Sequence, residues 1–352
     1  MAELTLTQVA KHFGGTPALK SVTTTVRDGE FLALLGPSGC GKSTLLRLLA
    51  GFDQPTEGRI SIGAQEVANA ATRVNVAPEA RNIGFVFQSY ALWPHMTVRR
   101  NVGYPLEIRR LPKPEREARI DAALAATALE PFGDRMPSDL SGGQRQRVAL
   151  ARCLVSDPTA VLLDEPLANL DVALRASMQE MFSDFHRRTG ATMVYVTHDQ
   201  AEAMAMADRI AVMNHGAIVQ LDTPEALYAR PRSRFVAEFI GEGAVVPLTG
   251  TTHGDQGAEA TLLGTRLQVE TDTQQPALAC LRPENLTIAE SGPVRARVER
   301  VTYLGGRYRL DLTAASGEAL VTQSATRLSP GDQIGLALSA PWALPPPDRT
   351  HS

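Results

Sequence analysis

The sequence predicts an α/β protein with a largely parallel core sheet, joined at about residue 241 to a smaller all-β domain. Two observations carry this. Up to about residue 240, short apolar runs such as Phe31–Leu35, Ala160–Leu163 and Met193–Val196 alternate with helical patterns. Beyond it the texture changes to alternating stretches, Val294–Val298, Tyr308–Leu312 and Ile334–Leu338, separated by Gly, Asp and Pro, as in a barrel-like, OB-like domain.

Taken in order, Phe31–Leu35 reads as a buried strand, and Leu45–Ala50 as a helix stopped by Gly51. Ala160–Leu163 reads as a second buried strand, ending in Asp164, Glu165 and Pro166. Leu174, Met178, Met181, Phe182 and Phe185 fall on one face of a helix that stops at Gly190, a core stripe rather than a cofactor box. Pro345, Pro346 and Pro347 mark residues 341–352 as a frayed tail.

Length and composition set bounds. The 352 residues allow two domains, and 43% hydrophobic with 21% charged residues is ordinary globular composition. A formal net charge of -3 gives no bias toward nucleic acid or anionic lipid, so no nucleic-acid partner is expected. No apolar run is long enough to cross a bilayer, and residues 1–13 lack a signal-peptide pattern, so a soluble, non-exported protein is expected. Cys40, Cys153 and Cys280 show no paired spacing, which fits a reducing compartment.

Directly after the first strand comes Gly36-Pro37-Ser38-Gly39-Cys40-Gly41-Lys42-Ser43-Thr44, followed by the helix. This is a P-loop in its strand–loop–helix setting. Glycines let backbone N–H groups converge on phosphate, the helix directs its positive end there, Lys42 adds a full charge, and Ser43 offers a hydroxyl to magnesium. ATP and Mg2+ are therefore the expected ligands. Asp164 is the expected partner of that magnesium, and Glu165 the group that orients or deprotonates the attacking water. Strand alternation is expected to point the two acids in different directions.

At Leu140-Ser141-Gly142-Gly143-Gln144 a second polar turn opens onto an Arg-rich helical run, a second anion site. This segment matches the signature of the ABC ATPases. Residues 1 to about 240 resemble that family throughout, with a helical subdomain at about 89–156. Gln88 matches the Q-loop, Ala168–Asp171 the D-loop and His198, in Val-Thr-His-Asp, the switch histidine. The resemblance implies a head-to-tail dimer, with each ATP between one chain's Lys42 loop and the other's Ser141, Gly142, Gly143 and Gln144. It also implies that Gln88 senses γ-phosphate and magnesium, Glu165 acts as base, His198 holds the γ-phosphate and water, and Phe13 stacks on adenine. Ala168 and Cys153 depart from the commoner serine and alanine. Cys40, beside Lys42 and a helix N-terminus, is read either as a reactive thiol or as a small residue fitting a tight turn.

Family resemblance further implies that membrane permease subunits dock near residues 89–106, with Tyr90, Leu92, Trp93 and Met96 as contacts. Residues 241–340 resemble the β-rich regulatory domain of binding-protein-dependent importers, through Leu281–Glu284 and Tyr303–Gly305. A periplasmic or extracellular solute-binding protein and a place on the cytoplasmic face of the inner membrane follow from that likeness. Phe239-Ile240-Gly241-Glu242-Gly243 most resembles the ferric-iron importers; polyamine, 2-aminoethylphosphonate, sulfate and sugar importers share nearly everything else. Rival readings are a soluble ABC ATPase acting on nucleic acid, which would need a coiled-coil insertion or a second ATPase half, and a small-molecule kinase, which the signature opposes.

Overall fold

The structure, a computed structural model, describes residues 2–168, 170–254 and 257–346. It divides after Pro224 into two compact units.

The first unit opens with β1 (Leu4–Phe13), β2 (Thr16–Val26) and β3 (Phe31–Leu35), which runs through the phosphate loop into α1 (Lys42–Ala50). Then come β4 (Glu57–Ile62), β5 (Gln65–Asn69), β6 (Val74–Asn75) and β7 (Ile83–Val86). A helical stretch follows, α2 (Val98–Ile108), α3 (Lys113–Ala126) and α4 (Gly142–Leu154). The chain returns through β8 (Ala160–Asp164), α5 (Val172–Thr189), β9 (Thr192–Thr197), α6 (Gln200–Met206), β10 (Arg209–Asn214) and β11 (Ala217–Asp222).

The core sheet has the order β11-β10-β3-β9-β8-β7, parallel except for the β10–β11 edge. Parallel strands put their C-terminal ends on one side, where open α/β sheets bind ligands. The ends of β3, β7, β8 and β9 lead to the phosphate loop, Gln88, Asp164–Glu165 and His198. Strand alternation splits the buried residues between two faces. Leu32, Leu34, Leu162, Val194 and Val196 pack with the leucines of α1; Phe31, Val161, Leu163, Met193 and Tyr195 pack with Met178 and Phe182 of α5. The α5 stripe is core, as its spacing predicts. A separate cluster joins Val98, Val102 and Leu106 of α2 to Ile120 and Leu124 of α3 and Val148 of α4. Sequence reasoning did not resolve the second sheet, antiparallel in the order β2-β1-β4-β5-β6. Irregular register between β1 and β2 blurs its alternation.

The second unit begins at Glu225, ahead of the expected boundary at about 240. The physical reason lies in α7 (Pro224–Ala229) and α8 (Arg234–Phe239). Buried Arg282 donates to the carbonyls of Tyr228 and Ala237, and Ala237 packs with Leu278, Cys280 and Leu344. Its strands are β12 (Ala244–Pro247), β13 (Thr249–Gly254), β14 (Gly257–Leu262), β15 (Thr265–Val269), β16 (Leu278–Leu281), β17 (Leu286–Ile288), β18 (Val294–Tyr303), β19 (Tyr308–Ala314), β20 (Ala319–Ser324), β21 (Gln333–Leu338) and β22 (Trp342–Leu344). They form sheets β12-β16-β22, β13-β14-β15 and β17-β21-β18-β19-β20, so that after α8 the unit is β-rich, as predicted. The frayed-tail expectation is corrected at its start. Trp342–Leu344 pairs with β16, and Leu344 is fully buried. The rest of that expectation, residues 347–352, lies outside the described residues.

Candidate nucleotide site

The phosphate loop is shaped by close backbone packing. A Cβ on Gly36 would lie 2.3 Å from the Met213 carbonyl oxygen, and one on Gly41, at φ +106°, 2.6 Å from that of Ala18. Gly39, at φ +79°, is also left-handed. Lys42 is buried, its Nζ donating to the carbonyls of Gly36 (2.8 Å) and Pro37 (3.0 Å). The lysine thus lies along the inside of the loop whose amides would cradle phosphate. Cys40 is 3% exposed, with Sγ 3.8 Å from Lys42 Nζ. That burial supports the small-residue reading of Cys40 over the reactive one.

Ser43, in the first turn of α1, donates through Oγ to Asp164 Oδ1 at 3.1 Å. Burial pushes the Asp164 carboxyl above its usual range; the Ser43 hydrogen bond opposes this and neighbouring Glu165 adds to it. A half-buried carboxylate beside a hydroxyl and a second acid is relieved by a hard cation. Among the described residues no three His, Cys, Asp or Glu side chains form a metal cage. Magnesium needs none, since it takes one or two protein oxygens together with substrate phosphates and water. Ser43 and Asp164 therefore fit Mg2+.

Glu165 follows β8 at φ +44°, its N–H donating to the Val196 carbonyl at 3.0 Å. A left-handed turn, rather than strand alternation, therefore separates the two acids, which corrects the sequence reasoning. Glu165 Oε2 lies 3.4 Å from His198 Nδ1, so the expected base and switch histidine meet at the ends of neighbouring strands. Gln88 projects into solvent after β7; among the described residues its side chain makes no hydrogen bond to Ser43 or Asp164. Phe13 ends β1 half-exposed, with Lys11 Nζ 4.8 Å from its ring centroid over one face.

Ser141 is the N-cap of α4. Its Oγ accepts from the Gln144 N–H at 3.3 Å, and the Gln144 side chain accepts from the Ser141 N–H at 2.8 Å. Gly142 and Gly143 are already helical, which corrects the flexible-turn reading. Gly143 answers to packing, because a Cβ there would lie 2.5 Å from Leu174 of α5. Of the D-loop residues, Asn169 lies outside those described, and Asp171 caps α5 by accepting from the Leu174 N–H.

Two of the expected docking residues, Tyr90 and Leu92, pack against core clusters. Trp93 instead lines a cleft of about 310 Å³ with Phe85, Pro105, Ile108 and Arg109. Arg152 and Asn101, which sequence reasoning missed, hold this loop. Arg152 donates to the carbonyls of Tyr90 and Ala91 and lies over the Trp93 ring; Asn101 Nδ2 donates to the carbonyls of Trp93, Met96 and Thr97. Polar side chains fixing a loop leave no periodic signal.

Comparison with known proteins settles the family. The ABC transporter family model matches residues 19–168, and the TOBE domain model matches residues 279–344. The spermidine/putrescine import ATP-binding protein PotA of Pseudomonas aeruginosa is 44% identical over 96% of each chain. The chain belongs to the ABC-importer ATP-binding subunits. It is thus a transporter ATPase of a family that binds ATP, acts as a dimer and works with membrane permeases. The sn-glycerol-3-phosphate import ATP-binding protein UgpC of Rhizobium meliloti is 45% identical, covering 93% of this chain and 92% of that one. The Fe(3+) ions import ATP-binding protein FbpC of Escherichia coli is 40% identical, covering 95% and 94%. Among solved structures, the post-hydrolysis dimer of the ATP-binding cassette MJ0796 with ADP and Pi matches 63% of this chain and 98% of its own. Its TM-score is 0.54 at 33% identity.

Proposed function

We propose that two copies of this chain close on ATP, each site pairing the Lys42 loop of one copy with Ser141 and its capped helix from the other, and that hydrolysis drives import of a solute. The observation that carries this is the meeting of Ser43 with Asp164 at 3.1 Å and of Glu165 with His198 at 3.4 Å, on one edge of one sheet. Lys42 would leave its loop carbonyls for β- and γ-phosphate oxygens. Ser43 and Asp164 would hold Mg2+, with Gln88 closing on it; the cation neutralises phosphate charge. Glu165 orients the attacking water and takes its proton, and His198 holds the γ-phosphate in line.

Permease subunits would dock at the Trp93 cleft, with a solute-binding protein delivering cargo and the ATPase lying peripherally on the cytoplasmic face of the inner membrane. Supporting this, no described helix is long and apolar enough to cross a membrane. The narrower reading, Fe(3+) as cargo, rests on Phe239–Gly243, and the structure supplies a packing reason for the glycines in that motif. A Cβ on Gly241 would lie 2.5 Å from the Tyr228 ring and one on Gly243 2.5 Å from the Leu281 carbonyl oxygen. Relatives named for polyamines, glycerol 3-phosphate and iron match at 40–45% identity, so cargo is assigned by transport assay with each of the three.

Light scattering of Glu165→Gln with and without ATP and magnesium tests the shared site. A doubling of mass with ATP supports it. A chain that stays monomeric removes Ser141 from the nucleotide site.

A further inference from the structure

The loop after Glu165 and the turn carrying His198 are fastened to one guanidinium. Arg175, in the first turn of α5, reaches back through Nη2 to the Leu170 carbonyl at 3.4 Å. Its Nη1 donates to Asp199 Oδ2 at 3.1 Å, and its Nε lies 3.6 Å from Glu202 Oε1, an ion pair longer than a hydrogen bond. Asp199 and Thr197 flank His198. Asp199 caps α6 through Oδ1, accepting from the N–H groups of Ala201 and Glu202. Thr197 Oγ1 accepts from the Asp199 N–H at 2.9 Å and donates to Glu202 Oε2 at 2.7 Å, where the Tyr195 hydroxyl also donates at 2.8 Å. Glu202 is 3% exposed, a charge whose burial is costly unless it is paired and hydrogen-bonded. Among the described residues its partners are Tyr195 and Thr197 on β9, which leads to His198, and Arg175 on α5.

We propose that Arg175 is a positioning residue for hydrolysis: by joining the Leu170 carbonyl to Asp199 and Glu202, it holds His198 within reach of Glu165. The inference rests on the roles proposed above for those two residues. An arginine suits the task, because its planar fork serves a carbonyl and two carboxylates at once, whereas a lysine ammonium is a single point. Besides the β8–β9 ladder and the Glu165 N–H bond to Val196, Arg175 gives the segment following Glu165 a side-chain link to the His198 turn.

The test is a double-mutant cycle in the full-length chain, reading steady-state phosphate release and equilibrium ATP binding. Arg175→Gln should lower kcat by about tenfold or more while leaving the ATP Kd within about twofold. In a His198→Ala background the same change should cost no more than about twofold, because its effect runs through the imidazole already removed. Unchanged kcat overturns the proposal. So do equal losses in kcat and ATP affinity, which mark general damage, and so does a full tenfold further loss on top of His198→Ala. If Arg175→Gln does not fold, Arg175→Lys gives the same readout: it keeps the charge beside the two carboxylates but releases Leu170, and recovery of full kcat would overturn the proposal. Normal turnover of His198→Ala and Glu165→Gln themselves would instead sink the functional reading beneath it.

Discussion

Ser43 Oγ donates to Asp164 Oδ1, joining the first turn of α1 to the last residue of β8 at 3.1 Å. The contact sets the distance between the phosphate loop and the acids because both elements are fixed by the same core. Leu45, Leu46, Leu48 and Leu49 of α1 are buried in one cluster with Leu162 of β8 and Val194 of β9. The catalytic edge is therefore a consequence of packing beneath it, and substitutions in the edge and in the packing should have separable effects.

In the edge, Glu165→Gln keeps the side chain's shape and removes its ability to take a proton. It should lower kcat by about a hundredfold or more, with ATP affinity retained. Phosphate release under saturating ATP, beside equilibrium nucleotide binding, checks both halves. Near-normal turnover would remove Glu165 from the role of base.

Asp164 makes a stability prediction with a definite sign. Its carboxyl is raised mainly by burial, so the folded chain holds that proton to higher pH than the unfolded chain does. Stability from this group is then greatest below the ordinary carboxylate range and falls as pH rises through the raised value. Without magnesium or nucleotide, Asp164→Asn should melt at a higher temperature than the parent at neutral pH. The difference should shrink as pH falls to about 4. The asparagine still accepts from Ser43, so a lower melting temperature at neutral pH would show that the buried charge is not the dominant cost.

Beneath the edge, Arg81 ties α1 to the antiparallel sheet. Its guanidinium, 3% exposed, donates to the carbonyls of Leu48, Leu49, Val67 and Val76 and to Asn75 Oδ1. Burial holds its pKa below the usual arginine value. Arg81→Met would strip several carbonyls, two at the C-terminal end of α1, of a charged donor. We expect a loss of about 3 kcal/mol or more, on the worth of hydrogen bonds to charged groups. Urea denaturation would show it as a lower midpoint at unchanged slope. A loss under about 1 kcal/mol would show that water replaces the guanidinium freely.

Arg81 also marks where sequence reading stops. Whereas His198 was legible only through the resemblance to the ABC ATPases, the phosphate loop, the Asp164–Glu165 pair and the polar turn at Ser141 were legible because each couples a residue type to a strand end or helix start that apolar periodicity locates. The two layers packed on the core sheet were legible in the same way, through the α5 stripe and the short buried strands. Arg81, Arg152, Asn101 and Arg175 were not. Their partners are backbone carbonyls and carboxylates brought close by tertiary folding, and a polar residue bonded to distant backbone has no period. The boundary at Pro224 was hidden for a related reason. Residues 225–240 extend the α/β texture that could finish the first unit, and what joins them to the second, the bonds of Arg282 to Tyr228 and Ala237 and the packing of Ala237 on Leu278, Cys280 and Leu344, is made by tertiary folding.

The last prediction concerns the helix that presents Ser141. Gly143 lies against Leu174, and its substitution by alanine would bring a Cβ within 2.5 Å of that side chain. The clash pushes the first turn of α4 away from α5 and takes the Ser141 cap with it, while Lys42, Ser43 and Asp164 stay where α1 and β8 hold them. Gly143→Ala should therefore bind ATP as the parent does but lose ATP-driven dimerisation in the Glu165→Gln background, by light scattering. Leu174→Ala beside it removes the opposing methyl groups and should restore the dimer. Parallel loss of ATP binding in the single variant would show that the two faces are not independent. Failure of Leu174→Ala to rescue would mean that the dimer depends on Gly143 other than through its packing against Leu174.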